Sequence, residues 1–143
     1  MKSKIIIPIC LSVLLLSLTN RPIHIFMAGD STMANKPFYK SVTDSFTGEV
    51  TYEKFLERGW GQLLPEYFTD NVIVRNFAQN GRSTRTFISE GWWNKLISEV
   101  QKGDYVVIQF GHNDESIEKK DRYTSPEDYR TNLIHFVDEV KAK

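Results

Sequence analysis

Three short polar segments of the chain carry the residue types that acyl transfer requires. They are Gly29-Asp30-Ser31-Thr32, Ala78-Gln79-Asn80-Gly81-Arg82-Ser83 and Gly111-His112-Asn113-Asp114. Ser31 offers a hydroxyl nucleophile, and the Asn113 amide is a neutral donor that can stabilise a developing oxyanion. Gly81 has no side chain, so its N–H can approach a substrate oxygen closely. The segments therefore predict a serine hydrolase with Ser31 as nucleophile and Ser31, Gly81 and Asn113 as the oxyanion hole.

Each polar segment follows an apolar stretch that is typical of a β-strand. The strands are predicted at 23–28, 71–77 and 104–110, and the helices at about 60–68, at 92–101 and from Ser125 onwards. This alternation predicts an α/β fold with a mostly parallel sheet. Ligands bind at the carboxyl ends of the strands in such a sheet, so the fold would bring the three polar segments together.

Three local signals refine this picture. Residues 39–52 are rich in Thr, Ser, Val and Gly and predict a loop or a weak hairpin that turns at Thr47-Gly48. A helix is expected directly after the first strand, which would place the Ser31 N–H at a helix N-terminus. Ser125 is predicted to cap the last helix, with Pro126 at its first position.

Composition narrows the classes of function. The 143 residues include 18 basic and 18 acidic side chains, so no net charge draws the chain to nucleic acid or to an anionic membrane. A basic start, Met1-Lys2-Ser3-Lys4, and the apolar run 5–18 predict an export signal over residues 1–20, followed by the hydrolase domain over 21–143. We therefore expect a bacterial periplasmic or extracellular protein, away from the membrane after cleavage. The one cysteine, Cys10, lies in the signal, so the mature chain would have no thiol for catalysis or metal binding.

The polar segments resemble the blocks of the SGNH (GDSL-type) hydrolase superfamily, in which Ser, Gly, Asn and His each mark one block. Ser31, Gly81 and Asn113 match the first three blocks. More narrowly, four stretches resemble the rhamnogalacturonan acetylesterase family: 29–34 (GDSTMA), 59–62 (GWGQ), 76–87 (NFAQNGRSTRTF) and 109–114 (QFGHND). The resemblance covers Ile23 to about Asp138. It implies a flavodoxin-like three-layer α/β/α sandwich and removal of acetyl groups from pectic polysaccharide, with no metal and no cofactor.

The fourth block of the superfamily, Asp-x-x-His, has no match in this sequence. That block supplies the base and the carboxylate that orients it. His24, at the start of the first strand, and His135, in the last helix, are expected to be structural. Three strands would also leave the sandwich incomplete at its C-terminal side. We therefore expect the 143-residue chain to be inactive and poorly stable on its own, because loss of a triad member costs several orders of magnitude in rate.

Substrate contacts are predicted beside the catalytic segments. Arg82 and Arg85 flank the second segment and could pair with uronate carboxylates of a pectic chain, or could be ordinary solvated arginines. His112, next to Asn113, is the third candidate for substrate binding. Asp30 and Asp114 are expected to brace their turns through hydrogen bonds. Two alternatives stay open: another SGNH acyl hydrolase, acting on xylan, sialic-acid or lipid esters, and a non-catalytic remnant that binds glycan.

Overall fold

The structure is a computed structural model that describes residues 21–143, so the predicted export signal lies outside the described residues. In chain order the elements are β1 (Ile23–Gly29), β2 (Tyr39–Thr43), β3 (Val50–Lys54), α1 (Trp60–Leu63), a 3₁₀ turn (Leu64–Tyr67), β4 (Val72–Asn76), α2 (Thr84–Ser89), α3 (Trp92–Glu99), β5 (Tyr105–Gln109) and α4 (Pro126–Lys141). No helix in this part of the chain is long and apolar enough to cross a membrane.

The central sheet has three parallel strands in the order β4-β1-β5. Its register pairs Met27 with Asn76 on one side of β1 and Gly29 with Gln109 on the other. The carboxyl ends of all three strands therefore lie at one edge of the sheet. The three predicted strands and their parallel arrangement are confirmed.

Both faces of the sheet are covered, because successive residues of a strand point to opposite sides. Phe26 packs with α2, α3 and α4 on one face, where Trp93 and Phe136 are fully buried. Met27 packs on the other face with Met33 and with neighbours from the 3₁₀ turn. The predicted α/β fold, with helices layered on a parallel sheet, is confirmed.

The stretch 39–52 forms a hairpin in which β2 and β3 pair antiparallel. The Asp44 carboxylate accepts hydrogen bonds of 2.8 Å from the N–H groups of Phe46 and Thr47, and Gly48 adopts a φ of 72°. A positive φ is accessible to glycine at little cost, so the chain turns at Thr47-Gly48. The hairpin alternative of the sequence prediction is confirmed.

The helix expected directly after β1 was wrong. The chain makes a single turn there, closed by the Ala34 N–H on the Asp30 carbonyl at 3.0 Å. It then leaves the helical path because the Gln62 side chain bonds both the N–H and the carbonyl of Lys36, at 2.9 and 3.1 Å. Pro37 follows and has no N–H with which to continue a helix. Ser31 therefore lies in a turn and not at a helix N-terminus.

Two other helices differ from the sequence prediction, one because it was not predicted and the other because it is shorter. α2 was not predicted; its N-cap is Ser83, whose side chain and that of Thr86 form a capping box. The helix predicted at about 60–68 ends after four residues and tightens into the 3₁₀ turn that contains Pro65. The start of α4 is as predicted, since the Ser125 hydroxyl accepts the Asp128 N–H at 3.1 Å.

Candidate active site

Ser31 lies in the turn that follows β1, at the carboxyl edge of the sheet, and is half-buried. The Asp30 carboxylate holds this turn by accepting hydrogen bonds from the Thr32 N–H at 2.9 Å and from the Thr32 hydroxyl at 2.8 Å. The chain before it is tightly packed, since a Cβ on Gly29 would lie 2.8 Å from Met33 Sδ. The bracing role predicted for Asp30 is confirmed.

A second set of contacts ties the Ser31 turn to neighbouring elements. Trp60 Nε1 donates to Gln109 Oε1 at 2.6 Å, and Gln109 Nε2 donates to the Thr32 hydroxyl at 2.8 Å. The Trp60 N–H also donates to the Thr32 carbonyl at 2.9 Å. The end of β5 and the start of α1 therefore fix the Ser31 turn from two sides.

Gly81 lies in the loop after β4 with a φ of 74°, a conformation that favours glycine. The Gln79 N–H in the same loop donates to the Gly29 carbonyl at 3.0 Å, which joins this loop to the Ser31 turn. Lys36 adds a second link, since its Nζ donates to Asn80 Oδ1 at 2.8 Å and pairs with Glu57 at 3.1 Å. The first two predicted segments thus lie together.

Asn113 is 4% exposed in the loop after β5, and its side chain has a defined orientation. Nδ2 donates to the Arg82 carbonyl at 3.0 Å, while Oδ1 accepts from Arg122 Nη1 at 2.9 Å. Arg122 Nη1 also donates to the Gly81 carbonyl at 3.3 Å. An amide nitrogen carries two hydrogens, so Asn113 retains one for a ligand. The structure therefore brings the Gly81 and Asn113 loops together.

Asp114 fastens the third loop to the helical layer. Its Oδ1 accepts from the Thr84 N–H at 2.9 Å and from the Thr84 hydroxyl at 2.6 Å. The same hydroxyl accepts a 3.0 Å hydrogen bond from Asn132 on α4. Asp114 Oδ2 is buried without a hydrogen-bond partner among residues 21–143. Asp114 thus braces the third loop, as predicted, but it does so by joining the loop to Thr84 of α2 and not through side-chain hydrogen bonds within its own turn.

The histidines have other neighbours than Ser31. His24 Nδ1 lies 3.6 Å from Asp104 at the amino end of the sheet, and about 17 Å of strand separates His24 from Gly29. His135 Nε2 lies 3.3 Å from Glu139 on the same helix. His112 is exposed beside Asn113, with Nδ1 3.9 Å from Glu115. None of these contacts involves Ser31.

The two arginines predicted to bind substrate already have partners in the chain. Arg82 Nε pairs with Glu90 at 2.8 Å, and Arg82 Nη1 donates to the Asn80 carbonyl at 2.8 Å. Arg85 is exposed and donates to the Lys120 carbonyl at 2.6 Å. Substrate binding by Arg82, Arg85 and His112 stays a prediction.

A pocket of about 670 Å³ adjoins the third loop, with His112, Ile117 and Tyr123 among its lining residues. Tyr129 also lines it and donates its hydroxyl to the Phe110 carbonyl at 3.0 Å. Burial, with a further contribution from the Asp114 charge, raises the pKa of Tyr129. Within residues 21–143 no three His, Cys, Asp or Glu side chains are grouped so as to hold a metal ion.

Sequence reasoning missed four residues of this site: Lys36, Thr84, Gln109 and Arg122. Each acts through a contact with a residue distant in the chain, as when Arg122 reaches Gly81. Arg122 also lies in a run of mixed charges, Glu118-Lys119-Lys120-Asp121-Arg122, that has the composition of a solvated loop. Thr84 and Gln109 lie in stretches that resemble the acetylesterase family, but no local pattern distinguishes Lys36 or Arg122 from surface positions.

Comparison with known proteins shows that the chain is similar to acyl hydrolases. Residues 25–143 match the sequence profile described as GDSL-like lipase/acylhydrolase. Rhamnogalacturonan acetylesterase RhgT of Bacillus subtilis is 35% identical over 86% of this chain and 46% of its own length. A rhamnogalacturonan acetylesterase of Emericella nidulans is 38% identical over 63% of this chain and 28% of its own. The crystal structure of protein YxiM of Bacillus subtilis superposes with a TM-score of 0.67 at 29% identity, over 85% of this chain and 30% of that one. The chain thus spans less than half the length of these relatives.

Proposed function

The chain belongs to the GDSL-like lipase/acylhydrolase family, and we propose that it supplies the nucleophile and oxyanion hole of an esterase that removes acetyl groups from pectic polysaccharide. One observation carries the proposal. The Ser31 turn, the Gly81 loop and the buried Asn113 are joined by hydrogen bonds at the carboxyl edge of one parallel sheet.

In this proposal the Ser31 hydroxyl attacks the carbonyl carbon of the acetyl ester. The carbonyl oxygen becomes an oxyanion, which accepts hydrogen bonds from the Ser31 N–H, the Gly81 N–H and the remaining hydrogen of Asn113 Nδ2. The sugar hydroxyl leaves, and water then hydrolyses the acetyl-enzyme to release acetate. The donors are held before substrate arrives, so little free energy is spent on orienting them during the reaction.

The proton of the Ser31 hydroxyl must pass to a base. The family resemblance assigns that role to an Asp-x-x-His block, which residues 1–143 lack. We therefore propose that the 143-residue chain alone turns over esters negligibly, and that the complete gene product is the form to assay. An in-frame Asp-x-x-His encoded after Lys143 would support this assignment.

The pectic substrate is supported by two kinds of observation. Relatives named rhamnogalacturonan acetylesterase match the chain at 35% and 38% identity. Arg82 and Arg85 lie on the second loop and its helix, where a uronate-containing polymer would pass Gly81. Export to the periplasm or the medium, directed by residues 1–20, would bring the enzyme to such a polymer and is part of the proposal.

The test is acetate release by the complete gene product from acetylated rhamnogalacturonan, with acetylated xylan and long-chain p-nitrophenyl esters as competitors. We expect the highest kcat/KM on rhamnogalacturonan, and Ser31→Ala should lower it by at least about 10³-fold. Ser98→Ala, which alters an exposed serine of α3, is the matched control and should keep full activity. Preference for xylan or for long acyl chains would reassign the substrate, and full activity of Ser31→Ala would reject the mechanism.

The 143-residue chain gives a separate comparison in the same assay. We expect no turnover above that of its own Ser31→Ala variant. Turnover comparable to that of the complete gene product would show that a base exists within the chain. If the complete gene product is inactive and yet both it and Ser31→Ala bind rhamnogalacturonan equally, the chain is a glycan-binding remnant instead.

A further inference from the structure

Arg122 lies in the loop between β5 and α4, and its guanidinium joins the two loops that carry oxyanion donors. Nη1 donates to Asn113 Oδ1 at 2.9 Å and to the Gly81 carbonyl at 3.3 Å. A guanidinium Nη carries two hydrogens, so both hydrogen bonds form at the same time. The same atom covers the face of Gly81, because a Cβ built there would lie 3.2 Å from it.

The charge of Arg122 has no acidic partner in the described part of the chain. Three other arginines form ion pairs at 2.8 Å or less: Arg21 with Asp104, Arg75 with Glu99 and Arg82 with Glu90. Arg122 is half-buried, and its Nε is buried without a hydrogen-bond partner among residues 21–143. A partly desolvated cation without a counter-ion raises the free energy of the folded chain, and negative charge that develops nearby would offset that cost.

The guanidinium also fixes which way the Asn113 amide faces. Arginine is a donor only, so the group opposite Nη1 must be the carbonyl oxygen of the amide. Nδ2 is thereby turned to the Arg82 carbonyl, at 3.0 Å, with its second hydrogen free. The flipped amide would set N–H against N–H at Arg122 and oxygen against oxygen at Arg82. The hydrogen bond from a charged donor further polarises the amide, which strengthens the donation by Nδ2.

We propose that Arg122 is a positioning residue of the oxyanion hole. It orients the Asn113 amide, holds the Gly81 backbone, and stabilises through Asn113 the negative charge that forms on the substrate oxygen. The proposal rests on the esterase function proposed above. Since Arg122 acts through Asn113, its loss affects the transition state more than substrate binding.

Kinetics of the complete gene product test this role. Arg122→Met should lower kcat by about 10- to 100-fold, less than the loss of a direct oxyanion donor, with KM changed by less than about twofold. Arg122→Lys keeps the charge and donors and should recover part of kcat, whereas Arg122→Gln keeps one donor without charge and should recover less. Arg130→Met, at an exposed position of α4, is the matched control and should keep kcat.

The outcomes separate the two proposals. Full activity of Ser31→Ala rejects the esterase mechanism, and the orientation of Asn113 by Arg122 is then decided by the NMR measurement described below. Loss of activity in Ser31→Ala together with unchanged kcat in a folded Arg122→Met variant rejects the positioning role alone.

A second measurement needs no activity. The side-chain amide protons of Asn113 should exchange slowly with water in the wild type; in Arg122→Gln their chemical shifts should change and their exchange with water should become faster, and Arg122→Lys should restore part of both properties. Identical Asn113 side-chain signals in all three proteins would overturn the proposal, whatever the enzyme does. If Arg122→Met does not fold, the Lys and Gln variants still decide the question by both measurements.

Discussion

The two ends of the parallel sheet both contain a buried aspartate, and they use it differently. At the amino end, Asp104 accepts from both Nη atoms of Arg21, at 2.6 and 2.8 Å, and from the N–H groups of Gln101 and His24. At the carboxyl end, Asp114 directs Oδ1 to Thr84 and leaves Oδ2 without a partner among residues 21–143. Among the described residues both carboxylate oxygens of Asp104 accept hydrogen bonds, whereas only one oxygen of Asp114 does.

The contacts at the amino end stabilise the fold, whereas those at the carboxyl end leave donors available to a ligand. The Arg21 guanidinium, followed by backbone N–H groups, lowers the pKa of Asp104 from 3.8 to about 2, so contacts at the amino end favour the charged, folded form. At the carboxyl end the Asn113 amide uses only one of its two hydrogens within the chain. Donors that are buried, oriented and incompletely used can stabilise charge on a substrate. The same strands, β1 and β5, connect the two ends.

Among the substitutions that compare the two ends of the sheet, Asn113→Ala has the largest expected effect. Removing this proposed oxyanion donor should lower kcat of the complete gene product by about 10²- to 10³-fold. The matched variant is Asp104→Ala, a truncation of a buried side chain at the opposite end of the same sheet. It should reduce the midpoint of thermal unfolding and leave kcat close to that of the wild type.

Steady-state kinetics and thermal unfolding of both variants measure the contrast. If Asn113→Ala kept kcat within about threefold while Asp104→Ala lost it, the assignment of chemistry to the carboxyl end would be wrong. A loss of kcat in both variants at temperatures where both are folded would show that the ends are coupled.

The sequence locates the candidate residues at the carboxyl end of the sheet better than the residues that hold them in place. Ser31, Gly81 and Asn113 each follow an apolar strand directly, so strand prediction and the end rule for parallel sheets together locate them. Arg122 has no such marker, because its position depends on how the loop before α4 folds back over Gly81. Lys36 is likewise placed by tertiary contact, with Asn80 and Glu57.

Two errors in the prediction of helices have different physical origins. The turn after β1 has the sequence of a helix start, but the Gln62 side chain captures the Lys36 backbone and Pro37 prevents continuation. α2 escaped prediction because six residues give no clear helical period, and its capping box uses Thr86 in place of the usual Glu or Gln. A contact between distant segments decides the first case, whereas a local cap that lacks the usual residue types decides the second.

Thr84→Val should have the next largest effect, on stability. It removes the 2.6 Å hydrogen bond to Asp114 and the acceptor for Asn132, at a site that is 0% exposed. A hydrogen bond to a charged group contributes about 1.5–3 kcal/mol, so the free energy of unfolding should fall by about 2 kcal/mol. Urea unfolding measures the change.

Thr131→Val is its matched control. Thr131 is exposed on α4 and donates only to the Glu127 carbonyl, at 2.9 Å, so we expect a change within about 0.5 kcal/mol. Equal effects of the two substitutions would show that the Asp114 network does not stabilise the carboxyl end, and the contrast between the ends would then rest on Asn113 alone.

The smallest expected effect is that of Asp104→Asn, and its dependence on pH identifies its cause. The folded pKa of Asp104, about 2, lies below the ordinary value of 3.8. Stability from its charged form is therefore complete above about pH 4 and is lost as the pH falls through about 2. The difference in free energy of unfolding between wild type and Asp104→Asn should be about 1 kcal/mol at pH 7, a figure reduced by the exposure of Arg21 to solvent.

Urea unfolding at pH 7, 5, 3 and about 2 follows this difference, which should shrink only at the two lowest values. Asp138→Asn, at an exposed position of α4, should give no comparable pH-dependent difference. Asn keeps an oxygen that can accept from Arg21 and from the His24 N–H, so a difference that persists unchanged to about pH 2 would come from packing and not from charge. In that case packing, and not charge, would stabilise the amino end. The difference from the groups around Asn113 could then no longer be ascribed to the ion pair of Asp104.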